Sequence, residues 1–334
     1  MNNPVVQKLL SFSIRHNIIE HPGYLETMQK IELLHQRSKL AGVAGGLLIT
    51  GHTGSGKSTA KTQYAERYPR QEAMDRTHIR VLVVDTPSSP TVRSLVAAML
   101  TAMGDPASQK GTAEEKTERL YKLLKGCGVE LLIIDEFQHF LDRGKFSEAC
   151  TVTDWLKNLL NRANIPVVLI GLPRSAYVLE LNEQLRRRFS SRYSLRPLAF
   201  AHVDDIQQFR ALLNAVQQQL PIQSLALSAY EMAQRFHVAT HGLMDYLAKL
   251  IDGAVQIAAA RQLLALDLRT YAEAFIESVW RDCPSELNPF SQNALLRPLT
   301  GRGEPFSFVL EEQLDTVQYQ KLKRSGRSNR KELL

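Results

Sequence analysis

The chain has 334 residues, 44% of them hydrophobic and 22% charged, and this length exceeds the usual range of one hydrophobic core, so two packed units are predicted. No stretch approaches the roughly 18 uncharged apolar residues of a membrane span, and the first residues lack a signal-peptide layout, which argues against a membrane or secreted protein and predicts a cytoplasmic one. A formal net charge of +7 indicates a polyanionic partner. The three cysteines are isolated in the sequence and are predicted to be free thiols.

The chain begins with a predicted helical segment over residues 1–40. Apolar residues recur there at helical spacing on both sides of a break at His21–Gly23, where proline and glycine interrupt the pattern. A short apolar stretch, Gly46–Thr50, follows. Its composition predicts a buried strand that leads directly into the first chemical motif.

That motif fits the phosphate-binding pattern G-x-x-x-x-G-K-[ST] in full. A strand that feeds a glycine-rich turn into a helix lets consecutive backbone N–H groups face one anion, with the positive end of the helix dipole behind them. Lys57 is predicted to reach the β- and γ-phosphates of a nucleotide, and the Ser58 hydroxyl to bind Mg²⁺. A glycine-rich turn without a ligand is the alternative. The predicted binding residues are Gly51, His52, Thr53, Gly54, Ser55, Gly56, Lys57, Ser58 and Thr59.

Two later apolar stretches alternate with helical segments. Ile79–Asp85 has the composition of a buried strand, and Val129–Glu136 is a second one that ends in two carboxylates. Alternation of strand and helix predicts a parallel sheet with crossover helices. Asp135, at the strand end, is predicted to hold Mg²⁺, and Glu136 to polarise the attacking water. The alternative is that this acidic pair merely caps a helix.

The end of this α/β region contains one more buried strand, Ile165–Gly171, followed by Leu172–Pro173 with no polar side chain. Residues 177–190 are predicted to be helical, and Tyr193–Leu198 to form a last short edge strand. An arginine cluster extends from that helix into that strand and comprises Arg186, Arg187, Arg188, Arg192 and Arg196. From His202 onward the strands stop, and four apolar stripes at helical spacing predict an all-helical unit.

The predicted organisation is therefore an N-terminal helical segment at 1–40, an α/β core at 41–200, a helical lid at 201–282 and a flexible basic tail at 283–334. In the tail, Phe290 and Phe306 each follow a proline and are predicted to be apolar anchors for a partner protein. The basic residues between 321 and 331 are suited instead to non-specific DNA contact. An unstructured, solubilising end is the alternative.

These motifs, in this order along the chain, resemble an AAA+ ATPase, and within that superfamily the transposition regulators of the TniB/TnsC group, relatives of MuB in Tn-seven-like transposons. The closer resemblance lies in Leu47–Gly51, in Asp135–His139 and in Ile170–Pro173 followed by Leu185–Phe189. It spans about residues 20–282. The resemblance implies the α/β fold of a P-loop NTPase, with a parallel sheet flanked by helices and followed by an all-helical lid.

For the site, the resemblance implies ATP with Mg²⁺, and an arginine supplied to the nucleotide of a neighbouring subunit. Arg188 is the best match by position, Arg187 the next, and Arg186 completes the trio, which otherwise forms a solvated or DNA-facing surface. Two departures from the family pattern are visible. The strand ending at Gly171 lacks the usual polar residue, and the lid has Asp245 where many relatives have an arginine. Both departures predict slow hydrolysis and a switch-like use of ATP.

For function, the resemblance implies an ATP-dependent oligomer, a ring or a helix, that assembles on duplex DNA in the bacterial cytoplasm. Such an oligomer connects a target-selector protein to transposase subunits and comes apart on hydrolysis, without a membrane partner. The alternatives are an initiator or helicase-loading ATPase, and a nucleotide-switched protein adaptor that never touches DNA. The predicted DNA contacts, each of which is otherwise an ordinary surface base, are Lys110, Arg119, Arg143 and Lys145.

Overall fold

The computed structural model describes residues 4–74, 76–142 and 146–308. Its strands are β1 Gly46–Thr50, β2 Gln71–Glu72, β3 Thr77–His78, β4 Val81–Asp85, β5 Leu131–Asp135, β6 Val167–Gly171, β7 Ser191–Ser194, β8 Gln223–Ser224 and β9 Ala265–Leu266. Its α-helices are α1 Pro4–Leu10, α2 Pro22–Ala41, α3 Lys57–Glu66, α4 Val92–Ala102, α5 Ala113–Gly126, α6 His139–Asp142, α7 Phe146–Ala163, α8 Ala176–Glu180, α9 Glu183–Arg188, α10 Val203–Gln219, α11 Tyr230–Thr240, α12 Met244–Arg261 and α13 Leu268–Ser278.

Five strands form one parallel sheet in the order β4-β5-β6-β1-β7. The predicted fold class is therefore confirmed, including the position of β7 at the edge. Because all five strands run in the same direction, their carboxyl ends meet at one edge of the sheet, which is where ligands bind in open α/β folds. The register places Asp85 at the end of β4 directly beside Asp135 at the end of β5.

Local capping interactions explain where several of the flanking helices begin. Thr91 and Ser94 form a reciprocal capping box at the start of α4, and Thr112 and Glu115 form another at α5. The single helix predicted over residues 177–190 is two helices, because Asn182 caps α9 with its side chain and accepts the Leu185 N–H at 3.0 Å. Asparagine favours such N-cap positions over helix interiors.

The described residues divide into two compact units. The α/β unit comprises residues 23–53 and 57–195, and it buries apolar side chains on both faces of its sheet. On one face Leu132 and Ile134 pack among residues of α4, α5 and α7, and on the other Ile133 packs among residues of α2 and α3. Strands that are buried on both faces read as continuous apolar runs, which explains the sequence of β5.

The helical unit comprises residues 4–22, 54–56 and 196–308. As predicted, it contains four main helices, α10 to α13, which bury one apolar core. The prediction that no strand follows His202 is wrong, because β8 and β9 pair with each other as a short parallel sheet. The N-terminal segment joins this core through Leu9 and Ile14. Asp252 on α12 holds the segment in place by accepting the Ile14 N–H and the Ser13 hydroxyl, both at 2.8 Å.

The segment that follows α13 differs from its prediction as a flexible tail with exposed anchors. Phe290 and Phe306 are 2% and 0% exposed and belong to the core of the helical unit. Phe290 packs edge-on against Phe236, with ring centroids 5.2 Å apart. The prediction that these two side chains are free to anchor a partner is therefore wrong. The basic residues between 321 and 331 lie outside the described residues.

Candidate nucleotide-binding site

The glycine-rich loop lies between β1 and α3, where the sequence predicts it. Gly54 and Gly56 have φ angles of +80° and +99°, a region that residues with a side chain rarely adopt. At Gly56 a Cβ atom would meet no other atom within 4 Å, so the backbone conformation itself requires glycine there. Gly51 ties the loop to the sheet by donating its N–H to the Gly171 carbonyl at 3.2 Å.

The polar groups of the loop fit a bound phosphate. The Lys57 ammonium donates to the Gly51 and His52 carbonyls of its own loop at 2.7 and 2.8 Å. Ser55 is 3% exposed, and its hydroxyl has no hydrogen-bond partner within the described part of the chain. A buried polar group without a partner costs free energy unless a ligand or water satisfies it. An anion in the loop would give the Ser55 hydroxyl an acceptor and would attract the Lys57 ammonium.

Asp135 is placed at the end of β5 as predicted, and both of its carboxylate oxygens are engaged. Asp135 is 2% exposed. Its Oδ1 accepts the Glu136 N–H at 2.8 Å, and its Oδ2 pairs with the Lys61 ammonium at 2.7 Å. Lys61 also pairs with Asp85 at 2.7 Å and so bridges the ends of two neighbouring strands. Burial lowers the pKa of Lys61, but its hydrogen bonds to Asp135 and Asp85 outweigh this and leave the pKa above 10.5.

The sequence reasoning missed Lys61, although a signal existed. Lys61 follows Lys57 by one helical turn, so both side chains project from the same face of α3. Asp135 offers carboxylate oxygens, and Ser58, which is exposed in the first turn of α3, offers a hydroxyl oxygen. Mg²⁺ accepts both kinds of ligand. When bound, Mg²⁺ neutralises charge on the phosphates. A metal ion held by Asp135 would compete with Lys61 for this carboxylate.

Replacing Lys61 with methionine is expected to leave Asp135 buried without its cation. We expect the unfolding free energy to fall by about 3 kcal/mol in the absence of metal, which is the lower end of the cost of breaking a buried ion pair, because Asp85 is exposed. Millimolar Mg²⁺ should then raise the melting temperature of Lys61→Met more than that of the wild type. Chemical denaturation in EDTA and thermal melts with Mg²⁺ measure both effects.

A matched control for that variant is Lys157→Met. Lys157 pairs with Asp154 at 3.7 Å on the exposed side of α7, and exposed pairs of this kind contribute about 0–1 kcal/mol. Wild-type stability of Lys61→Met in EDTA would contradict the bridging role of Lys61.

Glu136 follows Asp135 in a left-handed backbone conformation, with φ at +55°. Such a conformation is uncommon for a residue with a side chain, and it is found preferentially at functional sites. The carboxylate accepts a hydrogen bond from the side-chain amide of Gln138, and His139 Nε2 lies 4.0 Å away. The Glu136 side chain is 47% exposed. It therefore has the access to water that a general base needs.

The end of β6 contains a polar group that the sequence analysis did not foresee. Gly171 and Leu172 contribute no polar side chain themselves, but Gln138 Oε1 accepts the Leu172 N–H at 3.0 Å. Nearby, the Ser175 hydroxyl is fully buried and has no hydrogen-bond partner among the described residues. The end of β6 itself therefore has no polar side chain, as expected. The side chains of Gln138 and Ser175, however, place polar groups beside it.

Comparison with known families decides the classification of the chain. Residues 11–196, more than half of the sequence, match the family described as Bacterial TniB protein. The chain belongs to the TniB family. The match begins in the N-terminal segment and includes the glycine-rich loop, Asp135, Glu136 and the arginine cluster.

Solved structures show the same fold for this TniB chain. The ORC2 protein of Aeropyrum pernix in its ADPNP–ADP complexes aligns with a TM-score of 0.58 and 13% identity, over 77% of this chain and 68% of that one. Cdc6p of Pyrobaculum aerophilum aligns with a TM-score of 0.59 and 12% identity, over 84% and 75%. At these identities the likeness shows the fold alone.

A curated relative is the General secretion pathway protein A of Aeromonas hydrophila, which is 28% identical over 207 residues. The aligned region is 58% of this chain and 35% of that protein, so the TniB chain spans about a third of the length of this relative. Among the described residues, no helix combines the length and the hydrophobicity that crossing a membrane requires.

The arginine cluster of the TniB chain lies on and beside α9. Arg188 donates to Asn161 on α7 at 2.6 Å, Arg187 pairs with Glu183 at 2.7 Å, and Arg186 pairs with Glu180 at 3.3 Å. Arg188 is the last residue of α9, shortly before β7. Its partner Asn161 lies on α7 and not in the glycine-rich loop. All three arginines are exposed, so each has a face open to a second molecule.

The predicted DNA contacts have different surroundings. Lys110 is exposed in the loop between α4 and α5. Arg119 donates to the Asp105 carboxylate at 3.1 Å and to the Ala107 carbonyl at 2.7 Å, so part of its guanidinium braces that same loop. Arg143 and Lys145 lie outside the described residues.

Asp245, the residue predicted to stand in place of a lid arginine, is paired with two cations. Asp245 lies in the first turn of α12, and its carboxylate pairs with Arg15 at 2.7 Å and with Lys249 at 2.8 Å. Burial raises the pKa of Asp245, but its hydrogen bonds to Lys249 and Arg15 outweigh that effect and leave the pKa below its ordinary value. Asp245 is thus committed to two cations of its own unit.

Proposed function

We propose that this chain is an ATP-dependent, DNA-binding regulator of transposition that oligomerises on target duplex DNA. In this proposal the oligomer links target-site selection to transposase recruitment and disassembles on ATP hydrolysis. The chain is a member of the TniB family. The observation that supports the proposal best is that this family member has a glycine-rich loop in which the buried Ser55 hydroxyl has no hydrogen-bond partner among the described residues, together with the consecutive carboxylates of Asp135 and Glu136.

In this proposal, binding of ATP changes the hydrogen-bond partners of several groups in the loop. The loop N–H groups and the Ser55 hydroxyl donate to phosphate oxygens, and Lys57 exchanges two neutral carbonyls for anionic oxygens. Ser58 and Asp135 would hold Mg²⁺. Glu136 accepts a proton from the attacking water, because it is the solvent-accessible carboxylate beside the metal-binding one.

The site of one chain is completed, in this proposal, by a second copy. Arg188 is exposed at the end of α9 and makes one side-chain hydrogen bond to a neutral partner, Asn161. A guanidinium in this position has donors left for the γ-phosphate of a neighbouring chain, where it would stabilise charge in the transition state. Nucleotide binding then creates an interface between copies, and hydrolysis weakens it.

The proposed use of ATP is slow and switch-like. The resemblance aligns Asp245 with the position at which many relatives have an arginine, and Asp245 is paired with Arg15 and Lys249. An acidic side chain does not supply the positive charge that such an arginine brings. A regulator whose nucleotide state sets the lifetime of an assembly tolerates slow turnover, whereas a processive motor does not.

DNA binding is proposed from charge. The net charge of +7 favours a polyanion, and contacts to phosphates are independent of sequence and sensitive to salt. Lys110 and Arg119 are the candidate contacts within the described residues. Both are in the neighbourhood of the turn that follows α4.

Co-sedimentation with linear duplex DNA tests the proposal. With a non-hydrolysable ATP analogue at low salt, we expect the protein to pellet with DNA as an oligomer, and with ADP to remain in the supernatant. Raising the salt from about 50 to 200 mM should reduce binding by orders of magnitude. Absence of DNA-dependent assembly at low salt would overturn the transposition proposal and favour a protein adaptor.

Arg188→Ala is expected to leave ATP binding by the isolated chain near normal and to lower turnover by at least about tenfold. The reason is that an arginine supplied by a neighbouring chain stabilises charge in the transition state. Mixing Arg188→Ala with Lys57→Ala chains tests action in trans. Partial recovery of turnover is expected, since a mixed interface contains one intact loop and one intact arginine. Arg187→Ala is the matched comparison, because Arg187 is paired with Glu183. Equal losses for both variants would show that Arg188 is not the specific finger.

A further inference from the structure

Gln138 is a buried polar residue to which the proposed mechanism gives no task. It is 3% exposed, and its backbone is fixed between Phe137 and Phe140, which are both fully buried. The Phe137 N–H donates to the Ile170 carbonyl at 3.0 Å, which ties this turn to the neighbouring strand β6. A buried amide is kept only where both of its ends find partners.

Both ends of the Gln138 amide do find partners, and they belong to different parts of the site. Its NH₂ group donates to the Glu136 carboxylate, and its Oε1 accepts the Leu172 N–H at 3.0 Å. The orientation of the amide follows from chemistry, because an ionised carboxylate only accepts and a backbone N–H only donates. The amide therefore joins Glu136, after β5, to the first residue after β6.

Gly171 provides the space for this amide. A Cβ atom at position 171 would lie 2.6 Å from Gln138 Oε1 and 2.2 Å from the Ser175 hydroxyl oxygen. Any side chain there would displace the amide from Leu172. The end of β6, which has no polar side chain of its own, thus leaves room for the side chain of Gln138 from the turn that follows β5.

Glu136 needs an external support of this kind. Its backbone is in a left-handed conformation and its side chain is about half exposed, so the backbone alone does not hold the carboxylate in one direction. We propose that Gln138 is a positioning residue for hydrolysis: its amide orients the Glu136 carboxylate and couples it to the end of β6. This inference rests on the proposed ATPase function. In it, Gln138 takes the place of the polar residue that the end of β6 lacks.

Two substitutions separate a positioning role from a merely structural one. Gln138→Glu retains an acceptor for the Leu172 N–H but presents a carboxylate to Glu136, whereas Gln138→Met retains only the volume. We expect both variants to bind ATP with near wild-type affinity and to lose about 10²-fold in kcat, the loss typical of a misplaced catalytic group. If both variants turn over ATP like the wild type, the proposal is overturned.

A double-mutant cycle on the nucleotide-free protein tests the contact without any turnover. The unfolding free energies of Glu136→Ala, Gln138→Met and the double variant are compared. Direct contact predicts that the double variant loses less stability than the two single variants together, since each single change already removes the same hydrogen bond. Additive losses would show that the amide does not hold Glu136.

Gly171→Ala tests the same coupling without altering either partner. It is expected to lower kcat at near-normal ATP affinity, because a Cβ atom displaces the amide. Its control is Gly126→Ala on α5, where a Cβ atom meets nothing within 4 Å and where turnover should stay at the wild-type value. Normal turnover of Gly171→Ala would contradict the inference.

The two proposals fail in different ways. If the wild type does not hydrolyse ATP, the proposed function is overturned, and a role for Gln138 in hydrolysis with it. If the wild type hydrolyses ATP and Glu136→Gln does not, while Gln138→Met retains full kcat, only the positioning role of Gln138 is overturned.

Discussion

Replacing Lys57 with alanine is expected to abolish ATP binding at ordinary nucleotide concentrations and to remove ATP-dependent oligomers on DNA. The Lys57 ammonium lies inside the glycine-rich loop and donates to the Gly51 and His52 carbonyls. The Lys57 ammonium would bring a full positive charge to the phosphates of a bound nucleotide. Each hydrogen bond to a charged group contributes about 1.5–3 kcal/mol, so loss of the ammonium should reduce affinity by about 100-fold or more.

Titration with a fluorescent ATP analogue measures the affinity of Lys57→Ala. The matched control is Lys125→Ala, an exposed lysine on α5, which should bind ATP like the wild type. A thermal melt without nucleotide separates binding from folding, since the variant should unfold close to the wild-type temperature. Wild-type affinity in Lys57→Ala would show that the loop does not hold the nucleotide phosphates.

Glu136→Gln is expected to retain ATP binding and to stop turnover. The substitution keeps the size of the side chain and an oxygen that accepts the Gln138 amide, but it removes the basic carboxylate. Loss of a general base reduces rates by about 10²–10⁴-fold. Because disassembly in this account follows hydrolysis, oligomers of Glu136→Gln should persist on DNA with ATP as wild-type oligomers persist with a non-hydrolysable analogue.

Phosphate release under multiple turnover and the lifetime of the DNA complex after dilution measure these two effects. Glu277→Gln, an exposed glutamate on α13, is the control for loss of a carboxylate in general. If Glu136→Gln turns over ATP at the wild-type rate, another group activates the water.

The features that sequence reasoning found are those encoded within a few adjacent residues. The glycine-rich loop depends on the local spacing of Gly51, Gly56 and Lys57, and the structure shows the positive φ angle at Gly56 that requires glycine there. The apolar run ending in Asp135 and Glu136 likewise identified β5, because a strand buried on both faces has no polar alternation. The order of strand and helix was then enough to predict a parallel sheet.

The residues that were missed depend on contacts between distant parts of the chain. Lys61 is an ordinary helix-surface lysine in the sequence, and its importance follows from the pairing of β4 with β5, which brings Asp85 and Asp135 to its ammonium. Gln138 acquires its second partner only because β6 lies beside β5 and because Gly171 leaves space. The spacing of one helical turn from Lys57 indicates the face of α3 on which Lys61 lies, but no local pattern identifies the partners of Lys61 or of Gln138.

The wrong prediction for Phe290 and Phe306 has a different physical cause. Proline and asparagine around them favour turns, and this correctly indicates a segment without long helices. Turn propensity says nothing about whether a nearby core has room for an aromatic side chain. The core of the helical unit accepts both rings, so an irregular backbone is held by buried aromatic contacts and not by regular hydrogen bonding.

The central claim is that the nucleotide state determines assembly on DNA, and the lifetime of the wild-type assembly on duplex DNA tests it most directly. Oligomers formed with ATP are diluted into buffer without free nucleotide, and their release from DNA is followed together with phosphate release. The account predicts that both proceed at the same rate in the wild type, and that both are slowed together by Glu136→Gln. Assemblies that leave DNA at one rate whether or not the nucleotide is hydrolysed would contradict it.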